Sequence, residues 1–257
     1  MISKIKTAIG IILEVKNLDA YFADYFGLIK NKYTVYVLRN GLRYKIRVGT
    51  ADRPIMNEVL IRNEYIPKGF EIGEDDIVVD IGAHIGFFSL MAAKYAKNGR
   101  VYSFEPMPES FALLKHNIKI NGLKNVTAIR KAVSNKKERR KLFIDTTCTG
   151  AHSLYVKTKK AVEVETTAFN DFVKEYRIKH INFLKMDCEG AEYDIFLSCS
   201  DRIFAMIDKI GMEYHDLGGL RNLSSLKKLL ESKGFEVSLN EKTKNNHHGR
   251  LYARRGE

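Results

Sequence analysis

Four acidic residues stand at the ends of short apolar runs: Asp80, Glu105, Asp187 and Glu213. Each run has the length and composition of a buried β-strand. In an open α/β sheet, ligands bind beyond the carboxyl ends of the strands, where side chains from neighbouring strands meet. Because a carboxylate near a core is costly without a partner, the four acids predict a polar ligand site at this edge.

The residues after Asp80 are typical of a tight turn from a strand into a helix. Gly82, Ala83, His84 and Gly86 lie in this segment, DIGAHIG. Glycine lets the backbone approach a ligand closely, and the start of a helix offers free N–H groups to an anion. His84 replaces the middle glycine of the GxGxxG pattern, which disfavours an NAD-dependent dehydrogenase. A turn with a purely structural role is the alternative.

Glu105 ends the second predicted strand, 25 positions after Asp80. A carboxylate at this place can accept hydrogen bonds from both hydroxyls of a ribose. Pro106 and Met107, which follow it, can cover the face of an adenine ring. Together with the turn after Asp80, these residues indicate a cofactor that contains adenosine.

Strands alternate with helices from residue 77 onward, which places the candidate residues on an α/β sheet. The predicted strands are 77–81, 100–104, 126–130, 181–186, 207–213, 235–239 and 250–253, with two further strands at 141–144 and 161–166. Helices are predicted over 87–96, from Pro108 to Asn121, after Gly190, and over 223–233. Such alternation predicts a mostly parallel, Rossmann-like sheet with helices on both faces. No helix separates the last two strands, so we expect an antiparallel strand at the C-terminal edge.

The first 70 residues have a different pattern. Residues 1–30 have the apolar spacing of an amphipathic helix, and strands at 33–38 and 42–48 flank the hairpin signal Asn40-Gly41. A further helix is predicted over 55–65. We therefore divide the chain into a helix and β-hairpin extension, residues 1–70, and a ligand-binding domain, residues 71–257.

The composition is that of an ordinary globular protein and excludes wholesale disorder, collagen and a disulfide scaffold. No apolar run approaches the ~20 residues of a membrane span. The cysteines are Cys148, Cys188 and Cys199, an odd number without CxxC spacing. This pattern favours reduced thiols and a cytoplasmic protein.

The positive charge of the chain, 43 − 31 = +12, is unevenly distributed. Residues 130–160 contain ten Lys or Arg against Glu138 and Asp145, a local charge of 10 − 2 = +8. Such a block attracts phosphate, on nucleic acid or on a membrane. We prefer a solvated hairpin with a basic turn, because no aromatic residues alternate with the charges as a base-stacking surface requires.

Taken together, the motifs resemble those of the FkbM-type family of S-adenosylmethionine-dependent methyltransferases, which has the class I methyltransferase fold. The resemblance covers about residues 58–215. The matching stretches are 79–86 (VDIGAHIG), 104–106 (FEP), Ala132–Ser134 and 185–192 (KMDCEGAE). His84 stands where the family more often has Asn, and Cys188 where Val or Ile is usual.

The resemblance implies S-adenosylmethionine as the cofactor and assigns residues to its parts. Asp80 and the backbone of Gly82, Ala83, His84 and Gly86 would hold the methionine part. Glu105 would hold the ribose, and Pro106, Ala132 and Val133 would lie beside the adenine. Asp187 would lie near the methyl group, where catalysis is mainly the alignment of an acceptor with the methyl donor.

Removal of a proton from a hydroxyl acceptor needs a base, and two residues are candidates. An unperturbed Asp, with a pKa of about 3.9, is a poor base, so Asp187 would need burial to raise its pKa. His215, two residues after Glu213, has an unperturbed pKa of about 6.5 and suits the task better. The alternative for His215 is a structural role, in which its ring forms hydrogen bonds with the backbone. The sequence does not decide between Asp187 and His215 as the base.

Four acids are expected to contact the acceptor: Glu58, Glu189, Glu192 and Glu213. Tyr65 lies in the same predicted helix as Glu58 and is expected to line the acceptor pocket with it. The alternatives are structural: a packing helix for Glu58 and an acid at a helix N-terminus for Glu192. We expect no metal, although Asp187, Glu189 and Glu213 offer the oxygen ligands that Mg²⁺ takes. His247-His248 is expected to be a solvated loop.

The resemblance implies methyl transfer to a hydroxyl of a sugar, glycolipid or other small metabolite. One alternative is an RNA ribose methyltransferase that uses the basic block, and another is a catalytically silent binding module. The N-terminal helix has three possible partners: the domain itself, a second copy in a homodimer, or a membrane surface with the apolar face down.

Overall fold

The computed structural model describes residues 2–145, 148–240 and 248–256. The strands, in chain order, are β1 (Tyr33–Val37), β2 (Arg43–Arg47), β3 (Ile77–Ile81), β4 (Arg100–Phe104), β5 (Val126–Ile129), β6 (Ala132–Ser134), β7 (Arg139–Phe143), β8 (Ala161–Ala168), β9 (Ile181–Met186), β10 (Ile207–His215), β11 (Phe235–Asn240) and β12 (His248–Arg255). The helices are α1 (Ile2–Glu14), α2 (Leu18–Tyr25), α3 (Asp52–Met56), α4 (Phe87–Tyr95), α5 (Pro108–Ile120), α6 (Phe169–Glu175), α7 (Glu192–Ser198), α8 (Asp201–Ala205) and α9 (Leu223–Ser232). A π-helical turn, Asn57–Ile61, continues α3.

The central sheet has the strand order β11-β12-β10-β9-β3-β4-β5. Neighbouring strands from β10 to β5 pair in parallel, whereas β12 runs antiparallel to both β10 and β11. The predicted mostly parallel sheet with an antiparallel strand at its C-terminal end is therefore confirmed. Because β3, β4, β9 and β10 are parallel neighbours, their carboxyl ends lie along one edge.

The central strands are apolar on both sides, as expected when helices cover both faces of a sheet. Val78 and Val79 of β3 are both buried, and they belong to two different core clusters. The first cluster also contains residues of α4, β1 and β2, and the second contains residues of α6, α7 and α9. Two packed layers thus fix the position of β3, the strand that ends in the turn after Asp80.

The N-terminal residues pack against α4 and α5 through a shared core. The hairpin of β1 and β2 is as expected, and Tyr44 of β2 packs against Phe87 with ring centroids 5.1 Å apart. Asn117 of α5 accepts a hydrogen bond from the backbone of Lys45. The single helix expected over 1–30 is wrong, because Val15 leaves the helical path to bridge Leu38 and is fully buried there.

The strands of the basic block form a separate three-stranded sheet with the order β6-β8-β7. Strands were expected at 141–144 and 161–166, and β7 and β8 occupy these places as an antiparallel pair. Strand β6 pairs with β8 in parallel. Within the described ranges, no helix combines the length and the apolar character needed to cross a bilayer.

Candidate active site

A cavity opens at the sheet edge where β3, β4, β9 and β10 end. Twelve of the residues expected at the site line it: Glu58, Tyr65, Gly82, Ala83, His84, Glu105, Pro106, Ala132, Val133, Asp187, Glu189 and Glu213. Four others lie behind the cavity wall: Asp80, Gly86, Glu192 and His215. The structure thus brings the expected residues together and separates those that face the cavity from those that support its wall.

The turn after β3 is packed directly against Asp187. Gly82 has a φ of +80°, and a Cβ at this position would lie 1.8 Å from the carbonyl oxygen of Asp187. The N–H groups of Gly82 and Ala83 both donate to the carbonyl oxygen of Phe104. A glycine is therefore required for close packing of two strand ends against each other.

Asp80 does not reach the cavity, although it begins the motif. Its Oδ2 accepts a 2.6 Å hydrogen bond from Ser89, and its Oδ1 lies 3.1 Å from Nζ of Lys185. Lys185 also donates to the carbonyl oxygen of Gly82 at 2.6 Å and lies over the ring of Tyr65. Asp80 therefore supports the turn through Lys185. The sequence signal for this role is a lysine inside a mostly apolar strand.

His84 has a positive φ of 52°, which is uncommon for a residue with a Cβ. Its Nε2 lies 2.7 Å from Nη2 of Arg47 and 3.3 Å from Oδ1 of Asp52. Arg47 and Asp52 are themselves a buried ion pair, with 2.8 Å between Nη2 and Oδ1. Burial works against the ionised form of Asp52, but His84 and Arg47 outweigh it and lower its pKa. Arg47 and Asp52, which precede β3 in the chain, therefore hold the turn at His84 in place. The sequence analysis did not identify this role.

Glu105 is a buried carboxylate on the cavity wall. Its Oε2 accepts from the N–H of His84 and its Oε1 from the N–H of Met107, both at 2.8 Å. Burial raises its pKa to about 7, against the lowering effect of these two hydrogen bonds. Each oxygen keeps a further lone pair for a hydroxyl donor. With Pro106 and Val133 on the same cavity, this carboxylate fits a ribose that carries an adenine.

Asp187 lies on the cavity wall beyond β9. The hydroxyl of Tyr65 donates a 2.6 Å hydrogen bond to its Oδ2. Burial raises the pKa of Tyr65 well above the usual value, so the hydroxyl remains a donor. Three more carboxylates, those of Glu58, Glu189 and Glu213, line the same cavity.

His215 is an imidazolium held between two glutamates. Its Nδ1 lies 2.9 Å from Oε1 of Glu192, and its Nε2 lies 3.1 Å from Oε2 of Glu189. Burial lowers the pKa of His215, but Glu192 and Glu189 outweigh it and raise the pKa to about 12. A side chain that is protonated at neutral pH, with both nitrogens engaged, cannot accept a proton. Of the two candidate bases, the geometry therefore favours Asp187.

Arg250 of β12 is a buried cation that the sequence gave no reason to select. It contacts Glu213, lies 3.4 Å from Glu64 and 3.7 Å from Glu58, and covers the ring of Tyr65. These charges hold the acids of the site close together. A single arginine in a C-terminal strand carries no spacing signal, because its partners are far away in the sequence.

The pKa values of Glu213 and Glu58 are shifted in opposite directions. Burial raises the pKa of Glu213, but His248 and Arg250 outweigh it and lower the pKa to about 2. Burial, with Glu64, raises the pKa of Glu58 to about 6. His248 was expected in a solvated loop, but it begins β12, and its Nδ1 lies 2.8 Å from Glu213. His247 lies outside the described residues.

A possible metal grouping among the described residues consists of Asp187, Glu213 and His215, whose ligand atoms lie within 4.8 Å of one another. The set considered from the sequence has Glu189 in place of His215. Both nitrogens of His215 already face glutamates, and Glu213 already contacts Arg250. Protein cations thus compensate the acids that a metal ion would bind.

The segment after β7 forms another part of the cavity wall, through Cys148, Thr149 and His152. The hydroxyl of Thr149 donates to Asp52 at 3.1 Å. Ser153 donates to the carbonyl oxygen of Glu189 at 2.6 Å. This segment therefore connects the residues before β3 with the turn after β9, and its irregular sequence gave no signal of this role.

Comparisons with known proteins agree with this architecture. The model of the methyltransferase FkbM domain matches residues 80–237. Methyltransferase 1 of Beauveria bassiana (strain ARSEF 2860) is 26% identical over 206 residues, which are 71% of this chain and 82% of that protein. The 31-O-demethyl-FK506 methyltransferase FkbM of Streptomyces tacrolimicus is 24% identical over 213 residues, 71% of this chain and 81% of that protein.

A solved structure with the same fold is methyltransferase FkbM from Methylobacillus flagellatus KT. It superposes with a TM-score of 0.54 at 17% identity, over 74% of this chain. The matched region is 46% of that chain, so the present chain spans less than half of it. At 17% identity, this structural similarity shows a shared fold and nothing more specific.

Proposed function

This chain belongs to the FkbM methyltransferase family, and we propose that it transfers a methyl group from S-adenosylmethionine to a hydroxyl oxygen of a sugar, a glycolipid or another small metabolite. The name of the Streptomyces relative supports an oxygen acceptor, because that protein is described as a methyltransferase of a 31-O-demethyl compound. We place the reaction in the cytoplasm, in keeping with three free cysteines.

The cavity fits the cofactor at its Glu105 end. S-adenosylmethionine, when bound, supplies a methyl group already activated by a positively charged sulfur. Glu105 would accept hydrogen bonds from the ribose hydroxyls, and Pro106, Ala132 and Val133, which line the cavity, would lie beside the adenine. Lys185, paired with Asp80, holds the turn at Gly82 in position.

One observation carries the proposal for the acceptor end: the Asp187 carboxylate lies on the cavity wall with Oδ2 fixed by Tyr65 at 2.6 Å. A carboxylate held in one orientation can accept the hydroxyl hydrogen of an acceptor and remove the proton as the methyl group is transferred. Tyr65 positions Asp187 for this step. Most of the rate enhancement then comes from alignment of the acceptor oxygen.

The other carboxylates on the wall indicate the class of acceptor. Glu58, Glu189 and Glu213 accept hydrogen bonds from hydroxyl groups, which a sugar has in abundance. These three carboxylates therefore support a polyhydroxyl acceptor.

An RNA ribose hydroxyl is the second candidate acceptor, and the basic block supports it. Lys136 and Lys137, in the turn before β7, and Lys141 of β7 are exposed, and Lys131 lines the cavity. These cations could contact the phosphates of an RNA while one ribose enters the cavity. The carboxylates that line the cavity support the sugar acceptor instead.

Transfer of radiolabelled methyl from S-adenosylmethionine into a fractionated extract of the source cells tests the proposal. The fractions are RNA, protein, and lipid with saccharide, and Asp187→Asn serves as the inactive control. We expect label in the lipid and saccharide fraction. Label that ribonuclease releases supports the RNA candidate instead. Absence of label in every fraction, despite binding of S-adenosylhomocysteine, supports a silent binding module.

A further inference from the structure

Exposed large hydrophobic side chains concentrate near the N-terminus of the chain. Fourteen such side chains occur in the described part of the chain, and eight of them lie between Ile5 and Leu28. They are Ile5, Ile9, Ile12 and Leu13 on α1, and Phe22, Tyr25, Phe26 and Leu28 on or just after α2. We call these eight residues the N-terminal apolar surface. A concentration of this kind on a protein surface marks an interaction site.

Helix α1 is apolar on two opposite sides. Ile11 and Val15 are buried against the protein, and Gly10 lies so close to the side chain of Ile61 that a Cβ would meet it at 2.4 Å. The exposed residues Ile5, Ile9, Ile12 and Leu13 have the spacing i, i+4, i+7, i+8 of a second helical stripe. The inner stripe accounts for the packing of α1, so the outer stripe serves another partner.

Helix α2 also exposes large apolar side chains, and these are mainly aromatic. Tyr21 is buried and shares hydrogen bonds with Asn57, whereas Phe22, Tyr25 and Phe26 are exposed at the spacing i, i+3, i+4. The rings of Phe22 and Phe26 stack with centroids 6.4 Å apart. Aromatic side chains are characteristic of helices that lie at the boundary between lipid and water.

The charges around the N-terminal apolar surface indicate its partner. Lys6, Lys16, Lys30 and Arg39 are exposed, against the exposed acids Glu14 and Asp19. Arg39 lies beside the outer stripe, since its Nε donates to the carbonyl oxygen of Ile12. A two-fold symmetric second copy would bring these like charges together, whereas an anionic bilayer surface attracts them.

We propose that the chain binds anionic lipid bilayers peripherally, with the N-terminal apolar surface in the headgroup region and the surrounding lysines on the lipid phosphates. The proposal goes beyond methyl transfer and is independent of the acceptor. It concerns the exposed apolar residues of α1 and α2, whose amphipathic pattern is that of helices that lie in the bilayer interface.

Sedimentation of the full chain with vesicles tests the proposal. We expect the chain to sediment with vesicles of phosphatidylcholine and phosphatidylglycerol, and much less with phosphatidylcholine alone or at high salt. Ile9→Ser/Leu13→Ser should lower the partition coefficient by at least about a hundredfold, because each of the two buried apolar side chains adds about a factor of ten or more. Lys6→Gln/Lys16→Gln should lower it on anionic vesicles by about thirtyfold.

Leu197→Ser/Leu220→Ser is the matched control, because both leucines are exposed hydrophobics outside the N-terminal apolar surface. This control should sediment like the wild type, and all variants should keep the wild-type melting temperature and affinity for S-adenosylhomocysteine. Equal sedimentation of the wild type and Ile9→Ser/Leu13→Ser would overturn the proposal. A wild-type dimer that this variant converts to a monomer, without vesicle binding, would assign the surface to a second copy instead.

Discussion

The hydroxyl of Tyr65 donates a 2.6 Å hydrogen bond to Oδ2 of Asp187, although the two residues are 122 positions apart. Tyr65 precedes β3, and Asp187 follows β9. The cations of Lys185 and Arg250 both lie over the ring of Tyr65, at 5.0 and 4.5 Å from its centroid. The residues before the sheet therefore complete the active site and fix the group that we assign as the base.

Tyr65→Phe should slow methyl transfer and leave cofactor binding unchanged. Loss of one hydrogen bond to a charged group costs about 1.5–3 kcal/mol, so we expect the turnover rate to fall by about tenfold to a hundredfold. Labelled methyl transfer measures the rate, and calorimetry with S-adenosylhomocysteine measures cofactor binding. Tyr95→Phe, an exposed tyrosine of α4, is the control. An unchanged turnover rate for Tyr65→Phe would show that Tyr65 does not position Asp187 for catalysis.

Affinity for S-adenosylhomocysteine should increase as the pH rises through about 7. Burial raises the pKa of Glu105 to about 7, so the free protein holds a proton there below this pH. The ribose hydroxyls donate to the carboxylate form, so binding at lower pH must first release the proton. We expect binding about tenfold weaker at pH 6 than at pH 8, as measured by calorimetry.

Glu105→Gln tests whether this pH dependence belongs to Glu105. The variant should bind S-adenosylhomocysteine about tenfold to a hundredfold more weakly at pH 8, since hydrogen bonds to a charged acceptor are lost. Its affinity should also vary little between pH 6 and pH 8. Wild-type affinity with a wild-type pH dependence would remove Glu105 from the ribose role.

Lys185→Met should destabilise the fold, because it leaves Asp80 buried without its cation. Removal of one partner of a buried ion pair costs about 3–5 kcal/mol in the free energy of unfolding. Lys97→Met is the matched control, because Lys97 and Glu74 form an exposed pair that contributes about 0–1 kcal/mol. Urea unfolding measures both variants. Lys185→Met/Asp80→Asn should recover part of the loss, and equal costs for Lys185→Met and Lys97→Met would contradict the supporting role of Lys185.

Gly82→Ala should cost more stability than Gly122→Ala. Both glycines have a positive φ, which costs about 1–2 kcal/mol for alanine in either place. A Cβ at Gly82 would lie 1.8 Å from the carbonyl oxygen of Asp187, whereas a Cβ at Gly122 meets nothing within 4 Å. We expect about 1–3 kcal/mol of additional loss for Gly82→Ala in urea unfolding. Similar losses in both variants would show that the strand ends are not closely packed.

The sheet and the general place of the site could be predicted because their signals are local. Apolar runs define β3, β4, β9 and β10, and glycines mark the turn after β3. Parallel strands then bring Asp80, Glu105, Asp187 and Glu213 to one edge by geometry alone. The same reasoning explains why most of the expected residues line one cavity.

The fine structure of the site depends on contacts between distant residues and could not be predicted. Asp80 is turned away from the cavity by Lys185, and His215 is protonated because Glu189 and Glu192 face both of its nitrogens. Arg250 comes from the last described strand to meet Glu58. No spacing rule connects such pairs, since only the folded chain determines which charges meet.

The most direct test of the account is a comparison of Asp187→Asn with the wild type in two assays. The first is calorimetric binding of S-adenosylhomocysteine, and the second is transfer of labelled methyl into the extract fraction that accepts it. The account predicts an affinity within about threefold of the wild type and a transfer rate at least about a hundredfold lower, as expected for loss of a general base. Full transfer activity in Asp187→Asn would contradict the assignment. Glu58 would then be the first residue to test, because burial raises its pKa to about 6 on the same cavity wall.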